Sequence, residues 1–179
     1  DESSGFTTPG KLEAAFCKLG KSRKNRVVVY INFSLDNAIK MYSEPRAWNM
    51  LFKIKSLVSD SFGSSFWMAV IGKKNCIALT SAKESEAVLK IRQCRESITA
   101  ASAKSEELNL IKVNFGLYCA VASDISFYEA VRRAESASII AKNSNAVYSV
   151  WNGTAGKELE SKLKIENSIK NEIDSNSFF

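Results

Sequence analysis

Histidine is absent from this 179-residue chain. That removes every Ser-His and Cys-His nucleophile arrangement. The four cysteines, Cys17, Cys76, Cys94 and Cys119, are widely spaced and include no Cys-x-x-Cys pair. A zinc site would need all four to converge, so the expectation is four reduced core thiols in a cytoplasmic domain, with no metal or other cofactor. No apolar run approaches a bilayer span, and direct membrane contact is not expected. Asp1-Glu2-Ser3-Ser4-Gly5 has neither the basic end nor the apolar stretch of a signal peptide. The missing initiator Met reads as a piece of a longer protein, whose anchoring segments would lie elsewhere. Internal repeats and low-complexity tracts are also lacking.

What is present is an apolar fraction of 45%, enough for the core of one domain. The net charge is +6, from 25 basic and 19 acidic residues. The lysines are dispersed except in the run from Lys18 to Arg26, which reads as a solvated linker between a helix and a strand. Nucleic acid is therefore not an expected partner.

The chain is organised around Phe66 to Ile71, a polar turn Gly72-Lys73-Lys74-Asn75, and Cys76 to Thr80. The near-continuous apolar flanks read as central strands covered by helices. The exposed tip is the natural place for chemistry, yet it carries two lysines, an asparagine and no carboxylate.

Around this hairpin the periodicity predicts a helix over Pro9 to Leu19 stopped by Gly20, then a buried strand Arg26 to Phe33. Ser34 is expected to cap a helix with Leu35, Ala38, Ile39 and Tyr42 on one face. Pro45 opens a second helix with Trp48, Leu51, Phe52, Lys55, Val58 and Phe62 near one side. After the hairpin come a helix over Lys83 to Ile98 and a loop from Thr99 to Asn109. Next is a strand from Leu110 to Ala120, where Gly116 marks a bulge or a close backbone approach. A helix capped by Ser126 runs through Lys142 and leads to a strand from Ala146 to Trp151. Asn152 to Gly156 reads as a linker, and Lys157 to Ile173 as a last helix whose apolar stripe needs a partner. The fold class expected is α/β (α+β): a ferredoxin-like core with a five-stranded mixed sheet flanked by helices, plus a C-terminal linker helix.

These pieces resemble the GGDEF domain of diguanylate cyclases, which make cyclic di-GMP from two GTP. Asp1 and Gly5 match the family's opening D-x-L-T-G-L-x-N, and Gly72-Lys73-Lys74-Asn75-Cys76 stands where the signature belongs, keeping its first glycine. Val113-Asn114-Phe115-Gly116-Leu117 looks like the S-I-G-x strand, and Arg133 to Lys142 looks like R-A-D-x-A-L-Y-x-A-K. Leu163 to Phe178 looks like the helix leading into an EAL phosphodiesterase domain. The resemblance thus implies a degenerate GGDEF domain over 1–152 and a linker helix over 153–179 leading toward an EAL domain.

It also implies what has been lost. The family holds magnesium through an Asp at the end of the first strand and an acidic residue in the signature turn. Those positions align with Tyr30 and Asn75, with Asn32 and Lys74 beside them. An amide is a poor substitute for a carboxylate, and like charges about 4 Å apart repel by roughly 4 kcal/mol at an effective dielectric of 20. Lys73 occupies the place of the glycine that lets nucleotide approach. The guanine-reading positions align with Ala38 and Ala47, the phosphate-cradling pair with Ser34-Leu35, and the inhibitory R-x-x-D with Gly63 and Phe66. Lys142 matches a phosphate-contacting lysine whose partner arginine has no counterpart. Its plainer reading is a helix C-terminal cation, and Lys73 and Lys74 read plainly as solvated turn residues.

The leading expectation is a non-catalytic regulatory or dimerisation module, with an EAL domain of the same polypeptide and a homodimer as partners. The first alternative is weak GTP binding without catalysis, through a patch of Lys73, Lys74 and Lys142. The second is a nucleic-acid module built on Phe115-Gly116-Leu117-Tyr118.

Overall fold

The computed structural model describes residues 6–120 and 125–154, with 156, 161, 164 and 165. Thr8 caps α1 (Pro9–Lys21) by accepting from the Lys11 amide at 3.3 Å, and Pro9 sits in the first turn, where no amide is needed. There follow β1 (Val27–Ser34), α2 (Asp36–Met41) and α3 (Glu44–Phe62). The hairpin is β2 (Trp67–Ile71) and β3 (Asn75–Thr80). Then come α4 (Glu84–Lys104), β4 (Lys112–Cys119), α5 (Phe127–Asn143) and β5 (Tyr148–Val150). The element order matches the one expected from periodicity.

The sheet runs β2-β3-β1-β4-β5. β1 is antiparallel to both its neighbours, β2 is antiparallel to β3, and β5 is parallel to β4. The first four strands form the split β-α-β arrangement of a ferredoxin-like core, and α5 returns the chain to add β5. Alternation along β1 sends Val27, Val29, Ile31 and Phe33 to the face packed against residues of α3 and α4. Val28 and Tyr30 go to the other face, with Leu12, Phe16, Ala130 and Ala134 of α1 and α5. Helices on both faces explain why the strands are apolar on both sides.

The hairpin is not central. β1 holds the middle of the sheet, and β2 is an edge strand with Trp67 44% exposed. Part of that edge is covered by the segment before α1, where the Thr7 amide donates to the Met68 carbonyl at 2.6 Å.

Several boundaries differ from expectation. Gly20 lies inside α1, and Thr99 to Lys104 extend α4 instead of forming a loop. The alanines there favour helix, and the Ser97 and Thr99 hydroxyls donate back to carbonyls one turn earlier. Ser34 does not cap α2; it ends β1. The buried face of α3 is Ala47, Met50, Leu51, Ile54, Val58 and Phe62, leaving Phe52 exposed, as Ile39 is on α2. Gly153, Thr154 and Gly156, expected in a linker, are helical. Of the expected last helix, Ser161, Lys164 and Ile165 are helical and exposed; the rest, like Asp1 to Gly5, lies outside the described residues. Cys76 and Cys94 are buried, whereas Cys17 is exposed and Cys119 intermediate, so two thiols are core and not four. Among the described residues no helix is long and apolar enough to cross a membrane.

Gly116 marks a close approach and not a bulge, because the ladder runs unbroken through the pair Tyr30 and Gly116. A β-carbon there would fall 2.0 Å from the Ala134 carbonyl oxygen and 2.2 Å from the Ser138 amide nitrogen. Those are backbone atoms of α5, which move only if the helix moves. Gly116→Ala is therefore expected to destabilise by about 3 kcal/mol or more, read from urea unfolding midpoints; a change under about 0.5 kcal/mol would show that α5 is free to lift.

Candidate functional site

Gly72, at φ +57, starts the turn between β2 and β3, a conformation that favours glycine. Lys73 and Lys74 at the tip are exposed. Asn75 is the first residue of β3, paired with Ile71. Lys55 of α3 donates from Nζ to the Lys73 carbonyl at 3.4 Å and lies 5.9 Å from the Phe33 ring.

Behind the turn, Asn75 joins a hydrogen-bonded chain. Its Nδ2 donates to the Tyr30 hydroxyl at 3.1 Å, and its Oδ1 accepts from the Phe33 amide at 3.4 Å. The Tyr30 hydroxyl donates in turn to Glu135 Oε1 at 3.0 Å. Tyr30 is 5% exposed, and burial, reinforced by the Glu135 carboxylate, pushes its phenol up to about 12. It is neutral at any ordinary pH. Burial also pushes the Cys76 thiol up to about 11 and lowers the Lys55 ammonium. The site therefore presents one phenol, one amide and one carboxylate already committed to the phenol. Magnesium prefers several carboxylate, phosphate or water oxygens in octahedral geometry, which this donor set does not match.

Sequence reasoning did not single out Glu135. Its signal was its place in Arg133-Ala134-Glu135, but only the packing of α5 over Gly116 brings it to a tyrosine 105 positions away.

Lys142, exposed in the last turn of α5, lines a cavity of about 240 Å³ with Lys112, Asp36, Asn37, Asn114, Asn145 and Ser34. The second lysine of this cavity is Lys112, while Lys73 and Lys74 do not line it, so the expected three-lysine patch is not assembled there. The Ser34 hydroxyl is buried with no hydrogen-bond partner among the described residues. Ala38 and Ala47 are fully buried and present no polar group to a base. Phe115 and Tyr118 are buried too, so neither ring is displayed for stacking on nucleic acid.

A ferredoxin-like core with an added parallel strand, closed by helices on both faces, defines a nucleotide-cyclase-type α/β fold. The solved structures similar to this chain make the assignment specific: it has the fold of GGDEF domains. One is the GGDEF domain of a Pseudomonas aeruginosa protein named TpbB or YfiN, with a TM-score of 0.72 and 14% identity over 89% of this chain and 98% of that one. Another is the active GGEEF domain of a diguanylate cyclase from Vibrio cholerae, at 0.67 and 14% over 80% and 93%. A third belongs to an EAL/GGDEF domain protein from M. capsulatus, at 0.59 and 13% over 77% and 97%. No family model matches the sequence, and no curated protein matches it.

The hydrogen-bonded chain has a pH signature. Tyr30 holds its proton more tightly when folded than the ordinary value of 10.0, so its contribution is complete below pH 10 and lost as pH rises from 10.0 toward about 12. Denaturant titrations across this window should show a loss of stability that is smaller in Tyr30→Phe. Identical slopes in the two proteins would mean that the phenol is not held as described.

Proposed function

We propose that this chain is a non-catalytic GGDEF-like domain. It serves by contact, as a regulatory or dimerisation module for an attached EAL phosphodiesterase in bacterial cyclic di-GMP signalling. The observation that carries the reading is the chain from Asn75 through Tyr30 to Glu135. Tyr30 and Asn75 stand where the resemblance puts the acidic metal ligands, and here these two side chains bond each other. Phosphoryl transfer depends on positioning and on a cation that offsets phosphate charge. A neutral phenol and an amide supply neither a ligand charge nor an open coordination position. Exposed Lys73 and Lys74 add positive charge at the turn, and buried Ala38 and Ala47 offer no base-reading groups.

The EAL partner rests on the resemblance of the segment from Leu163 to Phe178 to an interdomain helix, and on the occurrence of this fold in an EAL/GGDEF protein. The reading places the domain in the cytoplasm. Incubation of the purified chain with GTP and Mg²⁺ or Mn²⁺ is expected to give no cyclic di-GMP by chromatography; measurable product would overturn the proposal.

A second reading keeps nucleotide binding without catalysis. It is favoured by the cavity in which Lys142 and Lys112 outnumber one carboxylate, Asp36, beside a Ser34 hydroxyl with no hydrogen-bond partner among the described residues; its volume suits a phosphate group and not a whole nucleotide. Calorimetry with GTP decides it: binding weakened by Lys142→Ala supports the reading, and no heat up to about 1 mM removes it.

A further inference from the structure

The last turn of α4 carries Ser102, which is 3% exposed. Earlier on the same helix the Ser97 and Thr99 hydroxyls donate back to the Gln93 and Arg95 carbonyls, at 3.1 and 2.9 Å. The Ser102 hydroxyl makes no such bond and has no other partner among the described residues. A hydroxyl so nearly buried is ordinarily satisfied, and here it borders a cavity of about 240 Å³. This cavity lies on the α4 face of the sheet, with Ile98 and Val113 in its wall. It shares Lys112, Asn114 and Asn145 with the cavity that Lys142 lines, but Arg95 and Ser102 belong to this one alone.

Backbone hydrogen bonds fix the walls. In the 3₁₀ turn Glu106–Leu110 the Leu108 amide donates to the Ser105 carbonyl at 3.0 Å, and the Ile111 amide closes it on the Leu108 carbonyl at 3.2 Å. In the segment before β5, Asn145 sits at φ +54, a left-handed conformation that asparagine tolerates better than most side chains. The Ala146 amide then donates to the Ala141 carbonyl, and Asn114 Nδ2 to the Ala146 carbonyl, both at 2.8 Å. Two cations border the cavity, Arg95 from α4 and Lys112 from the start of β4. Both are exposed, and neither is in an ion pair among the described residues. No carboxylate among those residues lines the cavity; Glu107 of the 3₁₀ turn is paired with Arg46 of α3 instead.

We propose that this cavity binds a small organic acid, its carboxylate held by Arg95, Lys112 and the Ser102 hydroxyl and its short apolar stem set against Ile98 and Val113. A guanidinium fork matches a carboxylate in bidentate geometry, the ammonium adds a point charge, and the hydroxyl supplies a donor with no other use. The volume lies below the range of drug-sized sites, which limits the ligand to a few carbons, yet it exceeds what a bare oxyanion fills. The apolar wall favours a carbon stem over a second charge. The proposal stands whether or not the chain binds a nucleotide or catalyses a reaction.

The test is an amide-resolved NMR titration of the whole chain with butyrate, acetate and inorganic phosphate in turn, at about 100 mM chloride salt. Saturable shifts are expected at Thr99 to Ser102, Asn109 to Val113 and Asn145 to Val147. Butyrate should bind about tenfold tighter than acetate, because its longer stem is buried. Arg95→Gln should weaken butyrate about tenfold, and Lys142→Ala should leave it unchanged. Ser102→Ala should weaken it several-fold without lowering thermal stability, since alanine is the better helix former and the hydroxyl gives up no bond within the chain. No saturable shift at these positions up to about 50 mM would mean that water alone fills the cavity and would overturn the proposal. So would phosphate or acetate binding as tightly as butyrate, or a Ser102→Ala protein that loses stability and keeps its affinity.

Discussion

The contact on which the rest depends is backbone against backbone, between Gly116 of β4 and the middle of α5. With no side chain at that strand position, the helix settles onto the sheet, and its own face is made of Ala130, Ala134, Ala137 and Ala141, all fully buried. Longer residues would hold the helix off. Because it sits so close, the shoulders of α5 reach what they otherwise would not. Glu135 meets Tyr30 on β1, and Arg133 donates to the Tyr118 hydroxyl of β4 at 2.8 Å.

Arg133 continues this arrangement toward the end of the described chain. Its guanidinium lies 4.5 Å from the Trp151 ring and 5.1 Å from the Tyr118 ring, and Glu129 accepts from it at 2.7 Å. Hydrogen bonds from Arg132 and then Arg133 hold the Glu129 carboxyl down at about 2. The Trp151 amide donates to the Leu117 carbonyl at 2.8 Å, so the segment after β5 is fastened to the sheet by backbone and ring together.

The two ends of the sheet differ in electrostatic character. Behind the hairpin, the phenol of Tyr30 keeps its proton and is hydrogen-bonded to Asn75 and Glu135. At the start of β1, a cleft of about 740 Å³ is lined by Arg23, Lys24, Arg26, Lys83 and Glu84 among the described residues. The net charge of +6 hides this asymmetry. The Lys18 to Arg26 run that reads as a solvated linker contributes three of the cleft's cations, because the turn after α1 folds it back over Val27.

Much of the architecture was legible in the residues. Element order and the Ser126 cap follow from local chemistry, apolar period and a hydroxyl accepting from the Glu129 amide; at Gly116 the missing side chain left a bulge or a close approach open, and the unbroken ladder decides for the close approach. Where neighbours compete, local chemistry ran out. Thr99 to Lys104 looked like a polar loop, yet the burial of Ser102 at the end of α4 keeps them helical. The position of the hairpin at the sheet edge was not readable either, since an apolar strand looks the same in the middle of a sheet and at its rim when both faces are covered. Of the candidate site, the sequence by itself determined the residue types, a turn without acids and Tyr30 and Asn75 in the ligand positions implied by resemblance. Only the tertiary structure decided that those two side chains meet, that Glu135 completes them and that Lys142 and Lys112 line one separate cavity. Each of these contacts joins residues far apart in the chain, and a contact at that separation is set by strand register and helix height, which no local pattern encodes.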